Sequence, residues 1–199
     1  METKAPNPAT LLAGGTAPPV VEFYFELCHL KQLFRQGWLK RGVDRHRCES
    51  VADHSFGVAV LAMLIADQHF PGLDIVRVMR LALLHDLGEI HAGDITPEDR
   101  VSAEEKLRRE RHSAGEVLGR LPNGAAYLEL WEELQAGVTP EARFVREIDK
   151  LEMALQANIY ERFGMGVMGE FYVSAGKTLS DPVLKEILAR LLGISTSTS

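Results

Sequence analysis

Cysteine is scarce in this chain of 199 residues, which carries only Cys28 and Cys48. The pair lacks the close spacing of a zinc ribbon or a redox motif, so both read as reduced thiols of a cytosolic protein. An excess of positive charge is also missing: 22 Lys and Arg stand against 28 Asp and Glu, for a formal charge of -6. Proteins that grip a phosphate backbone gather basic residues on one face, so polymeric DNA or RNA is not an expected partner. A single nucleotide needs only one or two cations and stays open. No basic segment leads into a short apolar run at the N-terminus, and no apolar run is read as reaching the ~20 residues of a membrane span. Internal repeats and strand-like alternation of useful length are absent too.

What is there is helical patterning on a length suited to one domain with one core. Residues 1–19 hold Pro6, Pro8, Pro18, Pro19 and Gly14-Gly15 with few bulky apolar side chains, and read as a mobile leader. A domain over 20–193 and a flexible tail over 194–199 follow. Within the domain, apolar periodicity predicts a first helix from Val21 to Gln36, ended near Gly37. Ser50 with Asp53 resembles a capping box that starts a helix over 51–69. Further helices are predicted over 74–87, from Thr96-Pro97 onward, around 128–134, from Pro140 to Arg162 and over 181–192. The run Lys106 to Arg111 reads as a solvated charged face. The sum is an all-α fold, a compact helical bundle of six or seven helices.

Four polar residues interrupt the apolar stripes. His54 shares a face with Val58, Leu61 and Ile65, and His85 shares one with Val78, Leu81 and Ala82. Asp86 follows His85 at the end of its helix. Asp149 lies at spacing four from Val145 and Met153, where a carboxylate buried without a partner would be costly. Two imidazoles and two carboxylates suit a divalent ion of intermediate hardness and leave coordination positions open.

The segments Glu49 to His54, His85 to Pro97 and Glu141 to Met153 together resemble the HD-domain metal-dependent phosphohydrolases, and within them the 5'-deoxynucleotidase branch. The resemblance spans roughly residues 21–163 and implies a single divalent cation (Mn, Co, Mg, Fe, Ni or Zn) held by His54, His85, Asp86 and Asp149. It also implies Glu89 and Asp94 as catalytic acids, with Glu89 protonating the leaving 5'-oxygen and Asp94 orienting or deprotonating water. Arg35 and Trp38 stand where the family binds substrate. The expected activity is hydrolysis of (deoxy)nucleoside 5'-monophosphates to nucleoside and phosphate by a cytoplasmic homodimer that touches no membrane. Two rival readings use the same residues. One is a phosphohydrolase acting on a cyclic nucleotide or a nucleoside triphosphate; the other is a non-enzymatic, metal-stabilised helical interaction protein.

Overall fold

The computed structural model describes residues 1–196, and among these the regular structure is helical, with two isolated β-bridges and no named strand. The all-α expectation holds. Ten α-helical segments occur in place of six or seven, because α2 and α5 are short single turns and α9 was not expected: α1 Pro19–Leu27, α2 Gln36–Lys40, α3 Val51–His69, α4 Ile75–Leu84, α5 Glu89–Ala92, α6 Ala103–Leu118, α7 Gly124–Ala136, α8 Pro140–Arg162, α9 Gly169–Thr178 and α10 Pro182–Thr196.

Helices α3, α4 and α8 pack on one another and carry the main core, in which Val58, Ala62, Leu81, Val145, Ile148 and Leu151 are fully buried. Their starts are fixed locally. The Ser50 hydroxyl accepts from Asp53 N–H, and the Asp53 carboxylate accepts from Ser50 N–H in return, which completes the capping box. Asp74 Oδ1 accepts from Val76 and Arg77 N–H at the head of α4, and Thr139 with Pro140 opens α8. A second core, including Leu30, Leu87, Ile90 and Trp131, fastens α5 and α6 beside this trio. A third, around Trp38, Tyr160 and Met168, closes the far side.

Helix α3 corrects the reading of the apolar runs: by length and mean hydropathy it matches a membrane span. Its apolar residues meet α4 and α8, and it carries His54 and Asp53, so core packing accounts for much of that character.

Two boundaries differ from the expected ones, and one stretch carries a helix that was not expected. The predicted helix Val21–Gln36 breaks after Leu27 into a 3-10 turn and an extended stretch. The cause is non-local, since residues 33–35 pair with 49–51: Val51 N–H donates to Leu33 O and Arg35 N–H to Glu49 O. Thr96-Pro97 starts only a 3-10 turn over Pro97–Asp99; Arg100 then adopts φ 55, and Ser102 caps α6 instead. The stretch Phe163 to Tyr172 divides, with Phe163 and Val167 exposed, Met168 buried, and α9 starting at Gly169.

Residues 1–19, expected to be a mobile leader, lie against the domain, where Lys4 N–H donates to Gln32 O and Glu2 N–H to Gln36 Oε1. Of the expected tail, residues 194–196 continue α10 and 197–199 lie outside the described residues.

Candidate active site

His85 and Asp86 in the turn after α4 and Asp149 on α8 line one cavity of about 580 Å³, and His54 on α3 meets His85 and Asp149 at its wall. His54 is 1% exposed and His85 8%. His85 Nδ1–H donates to Ala82 O (2.7 Å), which leaves a lone pair on Nε2. Nε2 of His54 lies 3.4 Å from Nε2 of His85, 3.2 Å from Asp149 Oδ1 and 3.8 Å from Asp86 Oδ2. Asp86 Oδ2 is buried without a hydrogen-bond partner, although it sits 3.1 Å from His85 Nε2. Two imidazole nitrogens and two carboxylate groups this close, one of them with an unpartnered buried oxygen on Asp86, point at a common centre. His54, His85 and Asp149 meet within 4.8 Å, so two imidazole nitrogens and two carboxylates fit a divalent cation.

Charge is organised around this centre. Arg35, at the extended break before α2, sends Nη1 to Asp94 Oδ1 at 3.0 Å. Burial works against its charge, and the carboxylates of Asp94, Asp86, Glu89 and Asp149 overcome that, holding its pKa well above the ordinary value. Asp94 Oδ2 accepts from Gln36 N–H at 2.5 Å, so both of its oxygens are occupied. Glu89 is 4% exposed. Burial, then the neighbouring Asp86 and Asp94 carboxylates, push its pKa well above the usual range, which keeps it protonated. For Asp149 burial is outweighed by Lys150, His54 and His85, and its pKa falls well below normal.

The turn that carries Glu89 is tightly seated. A Cβ on Gly88 would lie 2.8 Å from Glu110 Cβ and 2.9 Å from Glu110 O, so only glycine lets the turn sit this close to α6.

Trp38 belongs to the cavity wall, but its ring is only 2% exposed. Its centroid is 4.2 Å from that of Phe171 and 5.3 Å from that of Tyr160, and its Nε1–H donates to Glu49 Oε1. The other basic residues near this segment are partnered: Lys40 with Asp99 and Thr96, Arg41 with Glu98 and Glu170, and Arg45 with Glu2. His91 turns away from the cavity to Glu26 and Glu116.

The sequence reading missed Lys106 and Glu110. Arg108 and Arg109 are solvated as expected, paired with Glu105, whereas Lys106 faces the cavity and donates to Ile95 O, and Glu110 is buried. Nothing in the alternation of charge marks those two as inward; only the helix packing does.

Glu49 carries a prediction. Burial and the nearby Glu152 carboxylate raise its pKa from 4.5 to about 7. A raised carboxyl binds its proton more tightly in the folded state, so metal-free protein loses stability as pH climbs from 4.5 through about 7. Glu49→Gln keeps an acceptor for Trp38 and removes the penalty. Urea denaturation is expected to show the variant more stable than wild type at pH 8, by up to about 3 kcal/mol, with the gain gone at pH 5. An equal difference at both pH values would contradict the assignment.

An all-α domain with a buried His/Asp donor cluster, a protonated glutamate and an arginine in one cavity has the composition of a metal-dependent hydrolase site. The chain belongs to the HD domain family, whose model matches residues 27–189. It is 36% identical over 189 residues to 5'-deoxynucleotidase HDDC2 of Bos taurus, covering 93% of this chain and 90% of that protein. Among solved structures, PH0347 protein from Pyrococcus horikoshii OT3 superposes with a TM-score of 0.72 at 32% identity, covering 86% of this chain and 97% of the other. A predicted metal-dependent phosphohydrolase from Magnetospirillum magnetotacticum MS-1 gives 0.68 at 27% identity, covering 90% and 92%.

Proposed function

We propose that this protein is a metal-dependent phosphomonoesterase that hydrolyses deoxynucleoside 5'-monophosphates to nucleoside and phosphate. The observation that carries it is the placement of a neutral carboxylic acid, Glu89, and a charged Arg35 on the cavity lined by His85, Asp86 and Asp149, with His54 in contact with His85 and Asp149. The kinship to 5'-deoxynucleotidases supports the substrate class.

His54, His85, Asp86 and Asp149 would hold one divalent cation. A cation bound there supplies Lewis acidity, drawing charge from the phosphate oxygens and lowering the pKa of water toward neutrality. Glu89 is the general acid: it enters the reaction protonated and gives its proton to the departing 5'-oxygen, so the nucleoside leaves as an alcohol. Arg35 presents its charge to the phosphate and is itself held by Asp94. With Oδ1 on Arg35 and Oδ2 on the Gln36 amide, Asp94 serves better to fix that arginine than to take a proton from water. Lys106 adds a second positive head to the same cavity. Trp38 is a rigid wall element, braced by Phe171, that shapes the cavity from within the core.

A homodimer belongs to the same proposal, supported by the exposed apolar side chains of Phe56, Phe163 and Val167. A cytoplasmic setting is supported by two unpaired cysteines.

The test is phosphate release from deoxy- and ribonucleoside 5'-monophosphates by metal-stripped protein with Mn2+, Co2+ or Mg2+ added back. Metal-dependent release from monophosphates, with triphosphates and cyclic nucleotides untouched, is the expected result. Cleavage of the triphosphates or cyclic nucleotides instead would transfer the site to another phosphoester, and no release from any of them would end the enzyme reading.

A further inference from the structure

Glu152 is a buried carboxylate to which the chemistry above gives no task. It lies on α8 three residues after Asp149, hence on the same helical face, and is 7% exposed. Its Oε2 is 2.5 Å from Nδ1 of His54, on the side of the ring opposite the Nε2 that faces His85 and Asp149. Among the described residues His54 is its one ion-pair partner. A buried carboxylate with neither lysine nor arginine beside it carries a desolvation cost that this contact must offset.

Position 57 makes room for it. Gly57 sits in the interior of α3, where glycine costs about 1 kcal/mol relative to alanine. A Cβ there would lie 2.7 Å from Glu152 Oε1 and 3.3 Å from both Cδ and Cγ, so the bare backbone is what admits the carboxylate to His54. Glu49, His54 and Glu152 also bring one donor atom each within 4.8 Å, a spacing that could suit a second ion. The Nδ1 contact argues otherwise: at 2.5 Å it is a closed hydrogen bond, and Glu49 already accepts from Trp38.

We infer that Glu152 is a positioning residue for the metal centre: it accepts the Nδ1 proton of His54, fixing the tautomer and ring orientation that leave the Nε2 lone pair toward the cation, and Gly57 is the clearance that permits it. The inference rests on the reading of His54 as a metal ligand. His85 receives the same service from a backbone carbonyl, Ala82 O. The His54 partner carries a full charge, which raises the basicity of the ligating nitrogen, and loss of such a partner typically weakens a metal site 10–100-fold.

The experiment measures Mn2+ affinity by competition with a chelator for wild type, Glu152→Ala, Glu152→Gln and Gly57→Ala, with circular dichroism to establish the fold of each. Glu152→Ala is expected to bind Mn2+ about 10–100-fold more weakly. Glu152→Gln retains an acceptor without the charge and is expected to fall between. Gly57→Ala, with every polar group intact, is expected to weaken binding by pushing the carboxylate off the ring. In Zn2+-loaded wild type the His54 Nδ1 proton should resonate far downfield, and in Glu152→Gln it should move upfield. Wild-type Mn2+ affinity in folded Glu152→Ala and Gly57→Ala overturns the inference, as does wild-type protein that binds no metal. Phosphate release is assayed separately. Weakened Mn2+ binding in a protein that releases no phosphate leaves the positioning role standing and removes the hydrolase reading; release with unchanged affinity in the variants does the reverse.

Discussion

Glu89→Gln is expected to lower phosphate release by about 10²–10⁴-fold, the usual contribution of a general acid, with Mn2+ affinity preserved. The substitution keeps the size and polarity of a buried side chain that is packed under a turn too tight for a methyl group at position 88. What it removes is a transferable proton. The sign of the pH dependence follows from the raised pKa: the acid is charged with its proton to higher pH than an ordinary glutamate, so wild-type rate falls only as pH rises through that value. The residual rate of Glu89→Gln should lack this alkaline limb. Stability moves the other way. The unfolded chain releases the Glu89 proton near 4.5, so the folded metal-free protein is penalised as pH rises from there through the raised value, and the glutamine variant escapes that penalty. An inactive variant that is at least as stable as wild type at neutral pH is therefore expected. Near-full activity would remove Glu89 from the acid role.

The second large effect is on the fold. Arg35→Met is expected to destabilise metal-free protein by about 3–5 kcal/mol, the cost of leaving buried charges without their partner. Arg35 has 14% of its side chain exposed and Asp94 8%, and the charge it balances includes Asp86 and Asp149. Added Mn2+ should return part of the loss, because a ligand that binds only the folded state stabilises it by mass action and a divalent ion offsets the same carboxylates. Arg35→Lys keeps a charge but not the planar fork, and should fall between. Urea denaturation with and without Mn2+ measures both quantities. If Arg35→Met matches wild type without metal, the arginine is not what neutralises the cluster.

The residues legible in the sequence were those whose inward position follows from helical spacing. His54 and Asp149 lie on apolar stripes of long helices and His85 caps the end of the stripe on α4, and the three helices pack together. Glu152, three residues from Asp149, was legible by the same rule but had no stated chemistry until His54 was seen across from it. The position of Arg35 depends on pairing between residues 33–35 and 49–51, a contact of two irregular segments that leaves no period. Lys106 and Glu110 sat within a charged run, where an inward pair looks like any salt-bridged surface. Helix α9 had no counterpart in the sequence reading: Gly164, Gly166 and Gly169 interrupt the apolar run there, although the last of them is the first residue of the helix.

Gly88 limits how sequences with this arrangement can diverge. Any side chain at 88 would collide with Glu110 Cβ, with Glu110 O and, at 3.1 Å, with Trp131. Because one of these is backbone, trimming a neighbour does not open the space; α6 would have to shift as a body, taking Lys106 with it. The spacer between a metal-facing histidine and the acid four residues later is thus tied to a helix that brings a cation to the same cavity. Drift at position 88 is closed to single substitutions, while the solvated face of α6 around Arg108 and Arg109 is free to vary.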